Sequence, residues 1–244
     1  MRSMRAFLRR AGTTAVVAAL TFLVSVAGAA AQDRQADVVR LPFPEDEGNL
    51  TPYSFELGYP LVTLIYDTVM WRDAAGVPRP WLARSVTPSA DGRRLRIRLR
   101  RGVRWHDGEP LTADDVAFTF RYVAAHPHPR FTPQLADVEQ VTTPDASTVD
   151  VALRRPSLGF LDQPLADVPI LPEHIWASLP PGRTAPAGRA VGSGPYRLTR
   201  HRRGERYTLR ANRRYFRGRP TVRTLEVPII RDAERAIRSL QQGR

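Results

Sequence analysis

The sequence predicts an α/β fold with much antiparallel sheet, on three observations. Several short segments alternate apolar and polar residues with a period of two, the pattern of a strand with one buried face. Turn residues separate two such segments at hairpin spacing. Other segments carry an apolar stripe at helical spacing behind a capping residue.

The N-terminus comes first. Arg2, Arg5, Arg9 and Arg10 form a positive head without an acid, and residues 11–31 carry no charge. This is the pattern of a secretory leader, residues 1–31, with Ala29 and Ala31 as the cleavage signal and the cut after Ala31. A retained membrane anchor competes with it, because the stretch is just long enough to span. Its Ala/Gly-rich end favours cleavage. The Arg9–Arg10 pair raises a twin-arginine route, but nothing else around it fits, so the general secretory route is preferred. Cysteine is absent, which leaves neither disulfides nor a thiol for a lipid anchor. The expected location is the periplasm, with no stable membrane anchor once the leader is removed.

The composition is that of a globular chain, with 42% hydrophobic and 25% charged residues. The formal charge is +13, and removing four leader arginines leaves 13 − 4 = +9. Every Lys/Arg position is arginine. Such a balance invites a nucleic-acid reading. Outside the cytoplasm it implies weak attraction to anionic surfaces instead, and no nucleic-acid partner is expected.

Seven arginines crowd into Arg93–Arg104, just ahead of His106, Asp107, Glu109 and the Asp114–Asp115 pair. Leu95, Ile97 and Leu99 alternate with Arg94, Arg96, Arg98 and Arg100, so a strand there buries the aliphatics and exposes the arginines. A polyanion site would interleave aromatic stacking groups with them, and none occurs. Thr112 then starts a helix as its cap, with Asp114 and Asp115 in the first turn facing the positive end of the dipole. Thr112 and Asp115 have capping-box spacing. Val116, Phe120 and Val123 form that helix's buried stripe.

Downstream, Val149, Val151 and Leu153 alternate as a strand. Pro172 opens a helical segment with Ile175, Trp176 and Leu179 as apolar positions. Tyr196 and Leu198, then Tyr207 and Leu209, form the arms of a hairpin with Gly204 in the turn. Leu225, Val227 and Ile229 mark a further strand. Ala233, Ala236, Ile237 and Leu240 share one face of a last helix. Two Pro/Gly-rich stretches, His126–Pro133 and Leu179–Pro195, punctuate the chain, and the second is the better domain boundary.

Catalytic and metal chemistry find little support. There is no cysteine nucleophile and no Gly-x-Ser-x-Gly elbow, so Gly192-Ser193-Gly194 reads as a small-residue reversal before a strand. The five histidines, His106, His126, His128, His174 and His201, include no pair at zinc-helix spacing. His126-Pro127-His128 reads as a loop, and His106-Asp107-Gly108 as a turn after a strand. No glycine-rich phosphate loop follows a strand. No catalytic residue, metal or cofactor is assigned.

The segments in order resemble the peptide/nickel class of extracellular solute-binding proteins that feed ABC importers, family 5. Tyr66, Asp73, Gly76, Pro80, Leu82 and Ala83 occupy positions of the family's first landmark. Leu99, Arg100, Gly102, Val103, His106, Asp107, Gly108, Thr112, Ala113, Asp115 and Val116 occupy those of the second, with Trp105 where the family usually has Phe. "ILPEHIW", "VGSGPYRL" and "ANRRYFRGRPTVRTLEVPII" match three more. The likeness runs through essentially the whole chain after the leader.

That resemblance implies a type II periplasmic-binding-protein-like fold of the peptide-binding cluster. In it, domain I is divided into subdomains Ia and Ib, and a domain II closes over the ligand. Residues 32–51 are expected to begin Ia, 52–189 to form Ib and 190–244 to return to an incomplete Ia. Domain II is expected to be missing, leaving a truncated copy. It further implies a non-enzymatic monomer that binds a peptide or related small solute and delivers it to ABC permease subunits. Asn49, Thr51, Tyr53, Phe55 and Tyr196 are the implied ligand-binding residues. The competing expectation is a non-functional fragment, or a basic extracytoplasmic module with weak polyanion binding.

Overall fold

The computed structural model of the chain describes residues 37–179 and 190–241. The leader expected at residues 1–31 lies outside the described residues, as does most of the Pro/Gly-rich stretch before Ala190. No described helix is long and apolar enough to cross a membrane.

In chain order the elements begin with β1 (Val38–Arg40), α1 (Tyr59–Ile65), β2 (Met70–Arg72), β3 (Pro78–Pro80), β4 (Ala83–Pro88), β5 (Arg94–Leu99) and α2 (Ala113–Ala125). There follow β6 (Val138–Asp145), β7 (Thr148–Leu153), α3 (Gln163–Asp167), α4 (Glu173–Trp176), β8 (Tyr196–Arg202), β9 (Arg206–Ala211), β10 (Thr224–Pro228) and α5 (Ala233–Gln241). They build two four-stranded sheets and a small ribbon of β2 with β3. The first sheet has the order β1-β10-β9-β8, with β1 parallel to β10 and the other pairs antiparallel. The second, β4-β5-β7-β6, is antiparallel throughout.

The arginine-rich run behaves as its periodicity requires up to Arg98, whereas Arg100 lies past the strand, half-buried, with its Nε donating to the Trp81 carbonyl at 2.7 Å. Leu95, Ile97 and Leu99 are buried and Arg94, Arg96 and Arg98 exposed along β5. Arg96 forks onto Asp150 opposite it on β7, with both contacts at 2.8 Å. Val116, Phe120 and Val123 of α2 join these aliphatics in the second sheet's core. Thr112 caps α2 in a capping box, its N–H donating to Asp115 at 2.8 Å. Asp115 also accepts from the Glu173 N–H at 2.9 Å and from Trp105 Nε1 at 3.3 Å. Burial pushes its carboxyl up, and those donors oppose the shift. The acid read as a helix-start residue therefore also fastens α4 and the turn before α2.

The first core gathers Tyr196, Leu198, Tyr207, Leu209, Leu225 and Val227 from β8, β9 and β10. Helix α1 packs there through Leu61, Val62 and Ile65, although it lies within residues 52–189. Helix α5 forms where its spacing predicts, yet Ala233 and Ile237 on its apolar face stand exposed.

The two cores meet at the Gly-Ser-Gly reversal. Gly192 and Gly194 pass so close to α1 that an added Cβ would lie 1.9 Å and 2.6 Å, respectively, from the Ile65 carbonyl oxygen. Only glycine fits there. The Gly194 N–H donates to that carbonyl at 2.8 Å, and Ser193 Oγ donates to buried Asp67 at 2.7 Å. His106 closes the junction from the second sheet's side. Its N–H donates to the Gly192 carbonyl at 2.8 Å, its Nδ1 accepts from the Gly192 N–H at 3.3 Å, and its Nε2 meets the Gly194 carbonyl at 3.0 Å. One nitrogen accepting and the other donating fixes the neutral tautomer. The turn expected at His106-Asp107-Gly108 is present, closed by the Gly108 N–H donating to the Trp105 carbonyl at 3.0 Å, and its histidine is a buried tie.

This tie predicts an acid sensitivity. Burial, reinforced by the Arg197 charge, lowers the His106 pKa from 6.5 to about 4 against the opposing hydrogen bond to Gly194. Between those values the unfolded chain holds a proton that the folded chain does not, so stability falls as pH falls. The loss should total about 3 kcal/mol by pH 4. Urea unfolding of wild type and His106→Asn at several pH values between 7 and 4 measures it. An equally steep limb in the variant would assign the effect elsewhere.

Candidate functional site

Four of the five expected ligand residues lie on the loop between β1 and α1, and two acids clamp that loop. Asp46 accepts from Tyr207 Oη at 2.6 Å, the Gly204 N–H at 2.5 Å, His201 Nε2 at 2.9 Å and the Gly48 N–H at 3.0 Å. Burial would raise its carboxyl, but the donors led by Tyr207 and Gly204 hold it well below the usual carboxylate range. The loop is thereby pinned to the β8–β9 turn. Glu47, buried, reaches across the loop and accepts from the N–H groups of Glu56 at 2.6 Å and Leu57 at 2.9 Å. Gly58 lies directly beneath it, where a Cβ would come within 2.6 Å of Glu47 Cγ.

Inside the clamp the chain turns tightly. Leu50 takes a positive φ of 51° and is fully buried. Thr51 is buried, and both its N–H and its hydroxyl bond Ser54 Oγ at 2.9 Å. Asn49 is half-buried beside them. Leu57, at the far end of the loop, is 58% exposed.

Tyr53 and Phe55, both half-buried, lead into an aromatic group that no local sequence signal announces. The Tyr53 ring lies 5.4 Å from Tyr122, 5.2 Å from His128 and 5.8 Å from Trp176, and its hydroxyl donates to the His126 carbonyl at 2.9 Å. Phe55 lies 5.6 Å from both Tyr59 and His128, and it packs against both cores. The His126-Pro127-His128 segment thus serves as an aromatic support, with His128 stacked on Phe131 at 4.4 Å. Within this group Tyr122 Oη and Trp176 Nε1 are buried without a hydrogen-bond partner among the described residues. Such orphaned groups are uncommon in a packed interior.

Beside the aromatics, Arg130 forks onto Asp167 at 2.9 and 2.7 Å while stacking 4.1 Å from the Tyr59 ring centre. Gln134 Nε2 also donates to Asp167, at 2.7 Å. Burial would raise the Asp167 carboxyl, and the Arg130 and Gln134 donors bring it below its ordinary value. Tyr196, the fifth expected residue, is placed differently. It is buried in the first core with its hydroxyl 3.2 Å from the Val222 carbonyl, and it makes none of the ring contacts of the Tyr53 group. The described residues contain no group of three or more His, Asp or Glu able to hold a metal ion. What the arrangement offers is a rigid loop, aromatic faces and an exposed leucine, the means to hold a ligand in place.

Residues 77–244 match the model for the middle region of bacterial extracellular solute-binding proteins, family 5. The chain is 34% identical over 203 residues to a Brucella ovis protein named as a candidate ABC transporter peptide-binding protein, covering 81% of this chain and 38% of that one. The oligopeptide-binding protein AppA of Bacillus subtilis, in complex with a nonapeptide, superimposes with a TM-score of 0.74 at 26% identity. That match covers 84% of this chain and 42% of AppA. DppA of Helicobacter pylori, in complex with the peptide STSA, shares the fold with a TM-score of 0.77 at 22% identity, over 87% of this chain and 46% of DppA. The chain therefore spans less than half the length of each of these relatives. Its fold is that of the type II periplasmic-binding-protein-like peptide binders. By sequence and by fold, the chain belongs to the bacterial extracellular solute-binding proteins of family 5.

Proposed function

We propose that the chain supplies one lobe of the substrate-binding component of an ABC importer for peptides or related small solutes. The loop carrying Asn49, Thr51, Tyr53 and Phe55, clamped at Asp46 and Glu47, carries this reading. A ligand surface set before binding loses little conformational freedom when the ligand arrives. Tyr53 and Phe55 offer aromatic faces to apolar ligand groups, and exposed Leu57 extends that surface. Tyr196 acts from beneath, in the core that carries the loop. The names of the relatives support a peptide as the first ligand class to test.

In this reading residues 32–51 and 190–244 form subdomain Ia and residues 52–189 form Ib, with α1 of Ib packed into the first core. The leader at residues 1–31 directs export to the periplasm. There the protein works as a monomer with its permease subunits and without catalysis.

Calorimetry of the full chain with a peptide library tests the proposal. Tyr53→Ala and Phe55→Ala should each weaken binding about tenfold, the effect of losing an aromatic contact. Heat from no library member would overturn the reading of this lobe's loop as a peptide-holding surface in its own right. Unchanged affinity in both variants would move the site off this loop.

A further inference from the structure

A groove of about 400 Å³ opens where the Arg104–Gly108 turn faces strands β8 and β9. Five arginines line it: Arg104, Arg197, Arg210, Arg213 and Arg214. Among the described residues none of the five forms an ion pair. Asp107, the groove's carboxylate, is already engaged by His174 at 2.8 Å.

The strand register makes this arrangement costly when empty. Arg197 on β8 and Arg210 on β9 are direct cross-strand partners. Like charges placed opposite each other destabilise a sheet. The second sheet avoids that cost by setting Asp150 opposite Arg96. The first sheet instead holds its cations in place. Asn212, buried, accepts from the Arg197 guanidinium at 3.2 Å and donates to the Gly194 carbonyl at 3.1 Å. Arg104 is steadied by the Gly108 carbonyl at 2.8 Å.

We propose that this groove binds a phosphate group through Arg197 and Arg210, with Arg104, Arg213 and Arg214 at its rim. A guanidinium presents a planar fork of donors matched to an oxyanion. A carboxylate has two oxygens and is filled by one fork, whereas a phosphate has oxygens enough to join two. The groove has room for an organic group attached to that phosphate. The source is either a soluble phosphate ester or a phospholipid headgroup, which share this chemistry. The groove is separate from the loop of Tyr53 and Phe55, so the proposal stands independently of the peptide reading.

The test compares the full chain with two charge-matched double variants. One, Arg197→Gln/Arg210→Gln, removes the cross-strand pair. The other, Arg94→Gln/Arg98→Gln, removes two exposed arginines from the second sheet. Calorimetry with glycerol 3-phosphate at low salt forms one arm. Co-flotation with phosphatidylglycerol vesicles, against phosphatidylcholine vesicles, forms the other. Saturable binding weakened roughly tenfold by the first variant and less than about twofold by the second is expected. That pattern with glycerol 3-phosphate assigns a soluble ester, and the pattern with vesicles alone assigns a headgroup. Equal losses in both variants would reduce the effect to diffuse charge and overturn the proposal, as would no binding in either arm. Should the first variant fail to fold, Arg210→Gln alone, against Arg98→Gln, makes the same comparison at an exposed position.

Discussion

Gly192→Ala is expected to destabilise the chain by more than about 3 kcal/mol, at the severe end of single substitutions. The new methyl group would sit 1.9 Å from the Ile65 carbonyl oxygen, against backbone that no rotamer change can clear. Moving the turn outward would break the bonds between His106 and Gly192 and the bond from Gly194 to Ile65. It would also loosen the contacts of His106 and Asn212 with the Gly194 carbonyl. Each lost contact leaves a buried polar group unpaired. Gly159→Ala is the control, because nothing lies within 4 Å of its added Cβ. It should remain within about 0.5 kcal/mol of wild type. Urea unfolding of the three proteins decides it, and a Gly192→Ala midpoint equal to wild type would refute the tight junction.

Asp46→Ala should cost about 3 kcal/mol and also weaken ligand binding. The carboxylate collects donors from Tyr207, Gly204, His201 and Gly48, and Tyr207 is fully buried. Hydrogen bonds to a charged group contribute more than neutral ones, and their removal strands the donors. Asp46→Asn keeps an acceptor but loses the charge, so it should fall between alanine and wild type. The pH dependence separates charge from packing. Because folding lowers this carboxyl below its ordinary value, its contribution is present above the unfolded pKa of about 4. It fades as pH falls below that. Both variants should lack this part of the acid limb, while the His106 part at higher pH persists. Amide exchange at Tyr53 and Phe55 should quicken in Asp46→Ala, since the clamp slows opening of their loop. Unchanged exchange and affinity would show that the loop holds itself.

What could be read from the sequence follows from which segments bury one face. β5, β7, β8, β9 and β10 alternate cleanly because each presents a single face to a core. The start of α2 was legible because its cap, first-turn acids and apolar stripe agree. β6 leaves no such trace, since Val138 and Val141 along it are only half-buried. β3 has proline at both ends, which argues against a strand, yet it pairs with β2 in a separate ribbon. β1 is three residues long and is defined by a partner far along the chain.

The candidate site was legible only in part. The resemblance led to the loop of Asn49, Thr51, Tyr53 and Phe55, but the clamping roles of Asp46 and Glu47 depend on tertiary contacts. Tyr59, Tyr122, His128, Phe131 and Trp176 are scattered along the chain and become neighbours only through folding. Trp176 in sequence was one apolar position of a helix, and His128 one residue of a loop. His106 was legible as part of a turn, while its burial depends on glycines more than eighty residues away.

The parallel pairing of β1 with β10 has a consequence for the order of assembly. Arg40 meets Glu226 across 186 residues of chain, so the first strand stays unpaired until nearly everything described has been synthesised. The second sheet has no such wait, because β4 to β7 lie together between Ala83 and Leu153. Contacts this distant in sequence form slowly, since loop closure precedes any gain from pairing. The sheet to which the loop of Tyr53 and Phe55 is clamped is therefore the late-closing part of the molecule. A nascent chain in that condition carries β1, the first of the described strands, as an unpaired segment until β10 emerges to receive it.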